Sequence, residues 1–499
     1  MNEQALRQFQ KVSALLNSSL DHSEIRRRAI EAATVLMHAE AGSLLLLDET
    51  TDELYFDVAH GSKSTSVRPV RLRLGQGIAG YVARTGESLI VNDVQHDSRF
   101  FRRADQTSGF DTRNMVCVPV KAQAKLLGVL QAINKQGGTL FDADDLRNFV
   151  ALGHQVGIAI ENANLYEEIN QLFEGFVTAS VQAIESRDPS TYGHSHRVAA
   201  LTCRLAEVVN EVGSGPYATI KFTKDQMKEI RYAAVLHDFG KVAVRERVLT
   251  KRRKLLYGDF ALLNARFDFI KRTLEVEMLK RKVDILLSSK QTDAAPLLNA
   301  LEKQYTQRLK DVCKAFSFVL RCNQPNIVPP GGFGQLHRIA NLTYESFEGL
   351  KPYLTHEEVV CLSIPMGTLT SDGRREVETH VLHTYNFLSK IPWSKSLQNV
   401  PSIALGHHEK LDGSGYPSKL RAESIPVQTR MMTIADIYDA LTATDRPYRA
   451  ALPASKALKI LHIMVNEGKL DPHLFGLFVE AKVYQATQDL PRSRRTAVA

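Results

Sequence analysis

The sequence predicts a multidomain fold with three parts: an α/β (α+β) domain, a long connecting helix and an all-α domain that carries a helical insertion. Apolar residues alternate between helical and strand-like spacing over residues 1–165 and keep an unbroken helical spacing over residues 166–185. Over residues 186–485 the spacing is helical almost throughout, and a short basic tail occupies 486–499. A chain of 499 residues, 44% of them hydrophobic, is long enough to build several separate cores.

The elements of the N-terminal part can be assigned from their spacing. A helix-like stretch, SEIRRRAIEAATVLMHA, precedes two strand-like runs, AGSLLLLDE and ELYFDVAHG, and the polar residues between them predict a hairpin. Two more strands are predicted at NMVCVPVKA and LLGVLQAINK. The segment that begins ADDLRNF then closes this part as a long helix.

The predicted connecting helix contains no proline and has a stripe of apolar residues at helical spacing. The stripe comprises Ile169, Leu172, Phe173, Phe176, Val177, Val181 and Ile184. A helix that joins two domains commonly pairs with its own copy, so the stripe predicts a homodimer. The same stripe could instead pack on the C-terminal domain of its own chain.

Two charged, amphipathic stretches at 255–288 and 296–322 interrupt the C-terminal part, and the turn NQPNIVPPGGFG ends the second of them. They predict an inserted helical hairpin within residues 251–360. We expect no strands in the C-terminal part, where the conspicuous loop is HHEKLDGSGYPSKL at 407–420.

Composition and charge narrow the class of protein. The formal charge is +8, but basic and acidic residues interleave as on solvated helices, so we expect no DNA partner. The five cysteines lack CxxC spacing, which argues against disulfides and thiolate zinc sites. Apolar runs are too short to span a membrane, and the N-terminus is too polar for a signal peptide. The sequence therefore predicts a cytoplasmic protein with no membrane partner.

Histidine and aspartate side chains in or at the ends of apolar helical stretches are the candidate metal ligands. They are His194, His237, Asp238, His380, His407, His408 and Asp436. Imidazole and carboxylate ligands without thiolate suit iron, manganese, zinc or nickel, and two such ions can share one carboxylate. The His237-Asp238 pair ends an apolar run beside Gly240 and Lys241, an arrangement that a hydrophobic core does not require.

Five motifs follow one another in the C-terminal half of the chain. They are GHSHRVA (193–199), VLHDFGKVAV (235–244), PMGTLTSDGRREVETH (365–380), GHHEKLDGSGYP (406–417) and ADIYDALTATDRPYR (435–449). Together they resemble the HD-GYP branch of the HD superfamily of phosphohydrolases. The defining features of that branch are a His-Asp pair and a downstream HHExxDGxGYP loop, and the chain has both.

The resemblance implies a site for two divalent transition-metal ions, iron or manganese, with zinc or nickel as alternatives. One ion would be held by His194, His237, Asp238 and Asp436. The other would be held by Asp238, His380, His407 and His408, so that Asp238 bridges the two. Some family members place a glutamate four residues before the first histidine and hold a third ion. Ser190 takes that position here, so we expect two ions.

The resemblance also implies the reaction, which is hydrolysis of cyclic di-GMP to linear pGpG and in many members onward to GMP. Two metal ions would activate water and neutralise the phosphodiester oxygens. The same ligands would equally serve another cyclic dinucleotide, such as cyclic GMP-AMP, or a linear nucleotide. A catalytically silent receptor or scaffold is a further alternative, although the chain keeps every expected ligand apart from the optional glutamate.

The resemblance implies that basic residues of the motifs act on the substrate, in addition to the bridging Asp238. Lys241, Arg446 and Arg449 would contact phosphate or guanine, a role that suits the planar fork of arginine. Salt bridges at helix ends are the alternative role of these cations.

Two other motif residues have more than one possible role. Asp439, one helical turn after Asp436, would position the leaving group or orient a metal ligand. The loop around Tyr416 would form a lip of the active site that contacts substrate, or a contact for diguanylate cyclase domains. Turn chemistry alone also explains the glycines of this loop.

Residues 20–165 resemble a GAF domain. The resemblance rests on GQGIAGYVARTGE, on the strand pair VCVPVK and GVLQAINK, and on FDADD before the last helix, and it implies a sensory domain with a small ligand. Four residues follow the pattern of GAF domains that bind cyclic nucleotides. They are Asn134, Lys135, Phe141 and Asp145. Leu146 replaces the final glutamate of that pattern, and the four residues could instead simply end a strand and begin a helix.

About 110 residues separate HDFGKVAVRERVL from LSIPMGTLT, whereas the HD-GYP pattern joins these segments directly. The insertion leaves every candidate ligand in place and would form a dimer-contacting hairpin, a lid or an arm for a partner. His337 and His356 lie in or near it, and His383 lies three residues after His380. None of His337, His356 and His383 is expected to bind metal.

Overall fold

The structure, a computed structural model, describes residues 13–16, 18–60, 70–188, 192–288, 291–325, 331–443 and 451–487. The chain divides into two compact units, Met1–Gly175 and Phe176–Ala499. Each unit has its own apolar core, and each is described separately below.

The first unit is built on a six-stranded antiparallel sheet with the strand order β3-β2-β1-β6-β5-β4. The strands are β1 (Ala39–Asp48), β2 (Glu53–His60), β3 (Arg71–Arg73), β4 (Leu89–Val91), β5 (Met115–Ala122) and β6 (Lys125–Lys135). The predicted hairpin is formed by β1 and β2, which pair Leu47 with Leu54. The two later predicted strands are β5 and β6, which pair Val118 with Leu130.

The described helices that begin in this unit are α1 (His22–Leu36), α2 (Gly77–Thr85), α3 (Arg102–Ser108) and α4 (Ala143–Arg187). Helix α1 begins after Asp21, whose side chain accepts a hydrogen bond from the backbone N–H of Glu24. Helix α4 has Asp144 and Asp145 in its first turn, where carboxylates interact favourably with the helix dipole. It continues without interruption through the predicted connecting segment.

Both faces of the sheet are covered, because successive side chains of a strand point to opposite faces. On β1, Leu44 and Leu46 belong to a core cluster that includes Ile30 of α1 and Phe149 of α4. Leu45 belongs instead to the cluster that contains the apolar face of α2. The predicted α/β class of this unit is therefore confirmed.

The second unit is almost entirely helical, as predicted. Its described helices are α5 (His194–Glu211), α6 (Lys224–Leu236), α7 (Glu246–Leu249), α8 (Tyr257–Ser288), α9 (Gln291–Cys322), α10 (Gly332–Ala340), α11 (His356–Leu362), α12 (Ser371–Glu378), α13 (His380–Leu388), α14 (Val400–Leu405), α15 (Val427–Thr442), α16 (Ala454–Asn466) and α17 (Pro472–Glu480). A capping box between Thr223 and Gln226 begins α6, which leads to the His-Asp pair.

The predicted helical hairpin is present as α8 and α9. These helices pack together around Phe267, Leu274 and Val319, and the cluster extends to Leu336 of α10. The insertion thus has a core of its own and is more than an extended arm.

The insertion also contains a two-stranded antiparallel hairpin, β7 (Thr343–Ser346) and β8 (Gly349–Pro352). The expectation that the C-terminal part has no strands was therefore wrong at this point. Each strand has four residues, too few for a two-residue apolar period to show in the sequence.

Candidate metal centre

The candidate ligands come from five helical segments, at or next to the ends of four of them and in the middle of the fifth. His194 is the first residue of α5, and the His237-Asp238 pair directly follows α6. His380 begins α13, and the His407-His408 pair follows α14 by one residue. Asp436 lies in the middle of α15, which packs on α5. The chain therefore brings together side chains that are up to 242 positions apart.

The first cluster consists of His194, His237 and Asp238, with Asp436 beside it. The Nε2 atom of His194 lies 3.2 Å from Oδ1 of Asp436 and 3.6 Å from Oδ2 of Asp238. The Nε2 atom of His237 lies 3.4 Å from the same Asp238 oxygen. Of the four side chains predicted to hold one ion, His194, His237 and Asp238 have donor atoms within 4.8 Å of one another, and Oδ1 of Asp436 lies 4.0 Å from Nε2 of His237.

The second cluster consists of His380, His407 and His408. The Nε2 atoms of His380 and His407 are 3.5 Å apart, and Nε2 of His380 lies 3.3 Å from Oδ1 of Asp238. Asp238 therefore turns one carboxylate oxygen to each cluster, which is the arrangement expected of a bridging ligand. His408 also approaches Asp436, with 3.8 Å between Nδ1 and Oδ2.

Backbone carbonyls fix the orientation of three of the imidazoles. The Nδ1 atom of His237 lies 2.7 Å from the carbonyl oxygen of Ala234, and that of His407 lies 2.7 Å from the carbonyl oxygen of Ala404. His380 makes the same type of contact with its own preceding turn. A hydrogen bond at Nδ1 leaves Nε2 as the lone-pair nitrogen, which is the form that binds a metal ion.

His194 is oriented by side chains instead. Its Nδ1 donates to Oδ2 of Asp439 over 2.7 Å, and both carboxylate oxygens of Asp439 accept hydrogen bonds from the guanidinium of Arg197, at 2.7 and 3.1 Å. Of the two predicted roles of Asp439, this geometry supports the orientation of a metal ligand. Sequence reasoning missed Arg197, although its place three residues after His194 on α5 puts both on one helix face.

The chemistry of the donor set fits transition-metal ions. Within the described residues, Nε2 of His237 is a buried nitrogen without a hydrogen-bond partner, and it faces Asp238. A buried polar atom left without a partner is costly, and a metal ion would satisfy it. Six of the seven candidate ligands are buried, so bulk water does not compete for them.

Two imidazoles of the second cluster, those of His407 and His408, are held in their neutral form. Burial lowers the pKa of His408 to about 3, and burial together with the neighbouring imidazoles lowers the pKa of His407 well below its usual value. Neutral imidazole is the ligand form, so these two side chains have no proton to lose when an ion binds.

His194 behaves differently. Burial acts to lower its pKa, but hydrogen bonds with Asp436 and Asp439 outweigh burial and raise the pKa to about 9. In the metal-free protein this imidazole therefore carries a proton between two carboxylates. A metal ion would take the place of that proton.

Two of the predicted substrate contacts lie at the centre. Lys241 places Nζ 2.7 Å from Oδ2 of Asp238, and the ring centroids of Tyr416 and His408 are 4.8 Å apart. Burial acts to raise the pKa of Asp238, but the positive charge of Lys241 holds it well below its usual range. Arg446 and Arg449 lie outside the described residues.

Close packing holds the His-Asp turn in place. A Cβ atom on Gly240 would lie 1.9 Å from the carbonyl oxygen of His380, so only glycine lets these two segments approach. The backbone N–H of Gly240 donates to Oγ1 of Thr384, and the same hydroxyl donates to the carbonyl oxygen of His237. Thr384 thereby connects two segments that carry candidate ligands.

A buried carboxylate shapes the loop that carries Tyr416. Glu409 accepts hydrogen bonds from the backbone N–H groups of Ser418 and Leu420, at 2.7 and 3.0 Å. A Cβ atom on Gly415 would lie 2.5 Å from the Cα atom of Glu409. The loop is therefore folded back on the segment that supplies His407 and His408.

The three histidines that we did not expect to be ligands stand apart from the centre. His337, His356 and His383 are all exposed. None belongs to the two metal-type clusters found among the described residues.

In the first unit, the four residues that resemble a nucleotide-binding pattern contact one another and their neighbours. Lys135 forms an ion pair with Asp145 and lies over the ring of Phe141. The side-chain oxygen of Asn134 accepts from the backbone N–H of Arg113, and its amide donates to the carbonyl oxygen of Asp111. These contacts fix the end of β6 against the start of α4, and any ligand would have to share these side chains.

Comparison with known proteins identifies a domain in each unit. The GAF domain family matches residues 19–161, and the HD domain family matches residues 356–474. The second range includes His380, His407, His408 and Asp436. Among the described residues, every helix is either too short or too polar to span a lipid bilayer.

Similar proteins include the 3′3′-cGAMP-specific phosphodiesterase 3 of Vibrio cholerae, 41% identical over 115 residues, which are 23% of this chain and 24% of that protein. The probable 3′,5′-cyclic phosphodiesterase pde-5 of Caenorhabditis elegans is 31% identical over 153 residues, 29% of this chain and 21% of that protein. The matched part is thus less than a quarter of the length of either relative. A solved GAF domain, from an Acinetobacter phosphoenolpyruvate-protein phosphotransferase, is 23% identical in sequence. The match covers 34% of this chain and 99% of the solved chain, with a TM-score of 0.30. The chain carries a GAF domain followed by an HD domain.

Proposed function

We propose that the second unit is a metal-dependent phosphodiesterase that hydrolyses a cyclic dinucleotide. The observation that carries this proposal is the position of Asp238, with one oxygen toward the His194–His237 cluster and the other toward His380 of the second cluster. Two adjacent clusters that share a carboxylate are the form of a two-metal site for phosphodiester cleavage.

In this proposal the two ions, iron or manganese, occupy the two clusters. When bound, such ions activate water and neutralise charge on the phosphodiester oxygens. His194, His237 and Asp436 hold one ion, and His380, His407 and His408 hold the other. Asp238 would be the ligand that the two ions share.

The remaining residues of the site bind and orient the substrate. The ammonium group of Lys241 lies beside Asp238, where it can attract a phosphate oxygen while it keeps that carboxylate ionised. The ring of Tyr416 covers His408 and forms an apolar wall on which a nucleobase can stack. Arg446 and Arg449 complete the anion-binding groups, by analogy with the RPYR segment of the HD-GYP motifs.

Cyclic di-GMP is the first candidate substrate, because the five motifs resemble the HD-GYP branch. The product is linear pGpG, which the same centre can cleave further to GMP. Cyclic GMP-AMP is the second candidate, and the similarity to a 3′3′-cGAMP-specific phosphodiesterase favours it. Both substrates present the same phosphodiester backbone, so they differ in the bases that meet Tyr416 and its surroundings.

The GAF domain regulates the reaction in this proposal, through helix α4. Leu165, Ile169 and Leu172 of α4 are 48%, 63% and 74% exposed, at spacings of four and three residues. Such a stripe is typical of a helix that pairs with its copy, which supports the predicted homodimer. A small ligand near Asn134 and Lys135 would act by binding two arrangements of this dimer with different affinity. The Tyr416 loop is available for a cyclase domain.

The test is a substrate panel. The protein is purified anaerobically, loaded with Fe²⁺ or Mn²⁺, and incubated with cyclic di-GMP, cyclic GMP-AMP, pGpG and cyclic AMP, with chromatographic detection of products. His380→Ala and His383→Ala form a matched pair, because both change a histidine of α13 and only the first is a ligand. We expect wild type and His383→Ala to linearise at least one cyclic dinucleotide and His380→Ala to be inactive. Inert wild type with a full metal load would favour the receptor alternative.

A further inference from the structure

Helix α8 of the insertion has an apolar face that the described residues leave uncovered. Its inner face, with Leu263, Phe267 and Ile270, is buried in the core of the insertion. On the outer face, Leu262 is 67% exposed and Phe269 is 40% exposed, seven residues later. An ordinary solvated helix carries charged or polar residues on that face.

The exposed apolar residues recur with a seven-residue period along most of α8. Val276 and Val283, 48% and 52% exposed, continue the series begun by Leu262 and Phe269. Leu279 and Leu286, 49% and 55% exposed, follow the valines by three residues. The eight positions of this heptad pattern form what we name the α8 seam. It comprises Leu262, Ala265, Phe269, Arg272, Val276, Leu279, Val283 and Leu286.

We propose that the α8 seam pairs with the same seam of a second copy of this chain, as a parallel two-stranded coiled coil. The residues of the seam favour this pairing. In heptads written abcdefg, the core positions are the first, a, and the fourth, d. Val276 and Val283 occupy the first position, and Leu279 and Leu286 occupy the fourth. Valine in the first position with leucine in the fourth favours parallel pairs over larger assemblies. This contact is separate from the pairing of α4 and does not depend on the proposed enzymatic activity.

The charged residues that flank the seam also favour this pairing. In a parallel, in-register pair, the residue just before a first core position faces the residue five positions later on the partner helix. Here these residues are Glu275 and Lys280, so each seam makes an attractive pair in both directions. Arg272, the single charged residue of the seam, contacts Glu275 of its own helix, which reduces its cost at the interface.

The exposed apolar area of the seam also favours a dimer. With roughly 100 Å² exposed on each of the six large apolar seam residues, two copies would cover on the order of 1,200 Å², which reaches the range of stable specific interfaces. A partner that pairs with the seam must itself have a helix with apolar residues at heptad spacing. A second copy of this chain has such a helix.

The experiment is disulfide trapping in the full-length chain, in a Cys313→Ser background that removes an exposed native thiol. Leu286→Cys lies at the end of the seam, so it self-links only if the helices are parallel and in register. Asp284→Cys is the matched control, because it is exposed on the same turn but faces away from the seam. We expect mild oxidation to link most of the first variant and little of the second.

A second measurement covers the case in which the cysteine variant folds poorly. Sedimentation equilibrium measures the dimer dissociation constant of the double variant Val276→Asp/Val283→Asp. Phe347→Asp, on the exposed tip of the β7–β8 hairpin, is the control. We expect the dissociation constant to rise at least tenfold in the double variant and to stay unchanged in the control. Failure of Leu286→Cys to link, together with unchanged self-association of the double variant, would overturn the proposal and leave the seam to a different partner. Hydrolysis by the same samples is scored separately, so the two proposals can fail independently.

Discussion

Replacing Asp439 with asparagine tests whether this residue orients a metal ligand. The carboxylate accepts hydrogen bonds on one side from Nδ1 of His194 and on the other from the guanidinium of Arg197. An amide of the same size has one accepting oxygen and one donating nitrogen. In Asp439→Asn, a donor must therefore face either the imidazole or the guanidinium, so one link of the Arg197–Asp439–His194 chain that fixes the His194 ring is lost in either orientation.

The expected size of the effect follows from the position of Asp439 behind a ligand. Loss of such an outer partner typically lowers metal affinity or activity by about 10- to 100-fold, which corresponds to roughly 1.4–2.7 kcal/mol. We expect the variant to fold, because α15 and its packing are unchanged, and to lose metal from the His194 cluster first.

The assay combines metal analysis after dialysis with the rate of cyclic dinucleotide hydrolysis at several metal concentrations. Glu229→Gln is the matched control: Glu229 is also buried in the second unit, but it binds the backbone N–H of Asn399 and not a metal ligand. Lower metal retention, with activity partly restored by excess metal, is the expected result. Unchanged metal retention with a lower rate would refute ligand orientation and return Asp439 to the leaving-group role.

Three further predictions concern stability. Gly240→Ala places a Cβ atom against the carbonyl oxygen of His380 and should destabilise the second unit by roughly 3 kcal/mol or more, measured by chemical denaturation. Lys254 is fully buried, with Nζ 3.5 Å from the carbonyl oxygen of Leu362, and burial lowers its pKa from 10.5. At neutral pH the buried charged amine therefore lowers the free energy of unfolding. This destabilisation decreases as the pH rises toward the pKa that Lys254 has in the unfolded chain. Lys254→Met should be more stable than wild type near pH 7 by about 1 kcal/mol, and the difference should shrink toward pH 10, whereas a constant difference would contradict this. Chelation should lower the melting temperature of the second unit by about 5 °C or more in calorimetry and leave the GAF transition in place; equal shifts of both would argue against a metal site confined to the second unit.

Much of the centre could be predicted because its ligands occur as neighbours in the sequence. The His237-Asp238 and His407-His408 pairs stand out against their apolar surroundings, and the structure brings both pairs together with His380. The link between Arg197 and Asp439 could not be seen in the same way, since these residues are 242 positions apart. It depends on how α5 packs against α15, which periodicity within one helix does not determine.

The insertion shows the other limit of sequence reasoning. Its two long helices, predicted at 255–288 and 296–322, begin within about five residues of the predicted positions and end where predicted. Its separate core and its β7–β8 hairpin were not predicted. The core depends on which faces of α8, α9 and α10 meet, and the hairpin is too short to leave a period.

The most direct test of the two-metal centre is the number of transition-metal ions bound per chain by wild type and by Asp238→Ala. Asp225→Ala is the control, since Asp225 is exposed in the first turn of α6, the helix that leads to the His-Asp pair. A shared carboxylate predicts about two ions per chain in wild type and in the control, and a deficit at both positions in Asp238→Ala. An Asp238→Ala protein that still binds two ions, or a wild type that binds none under anaerobic loading, would contradict the two-metal centre.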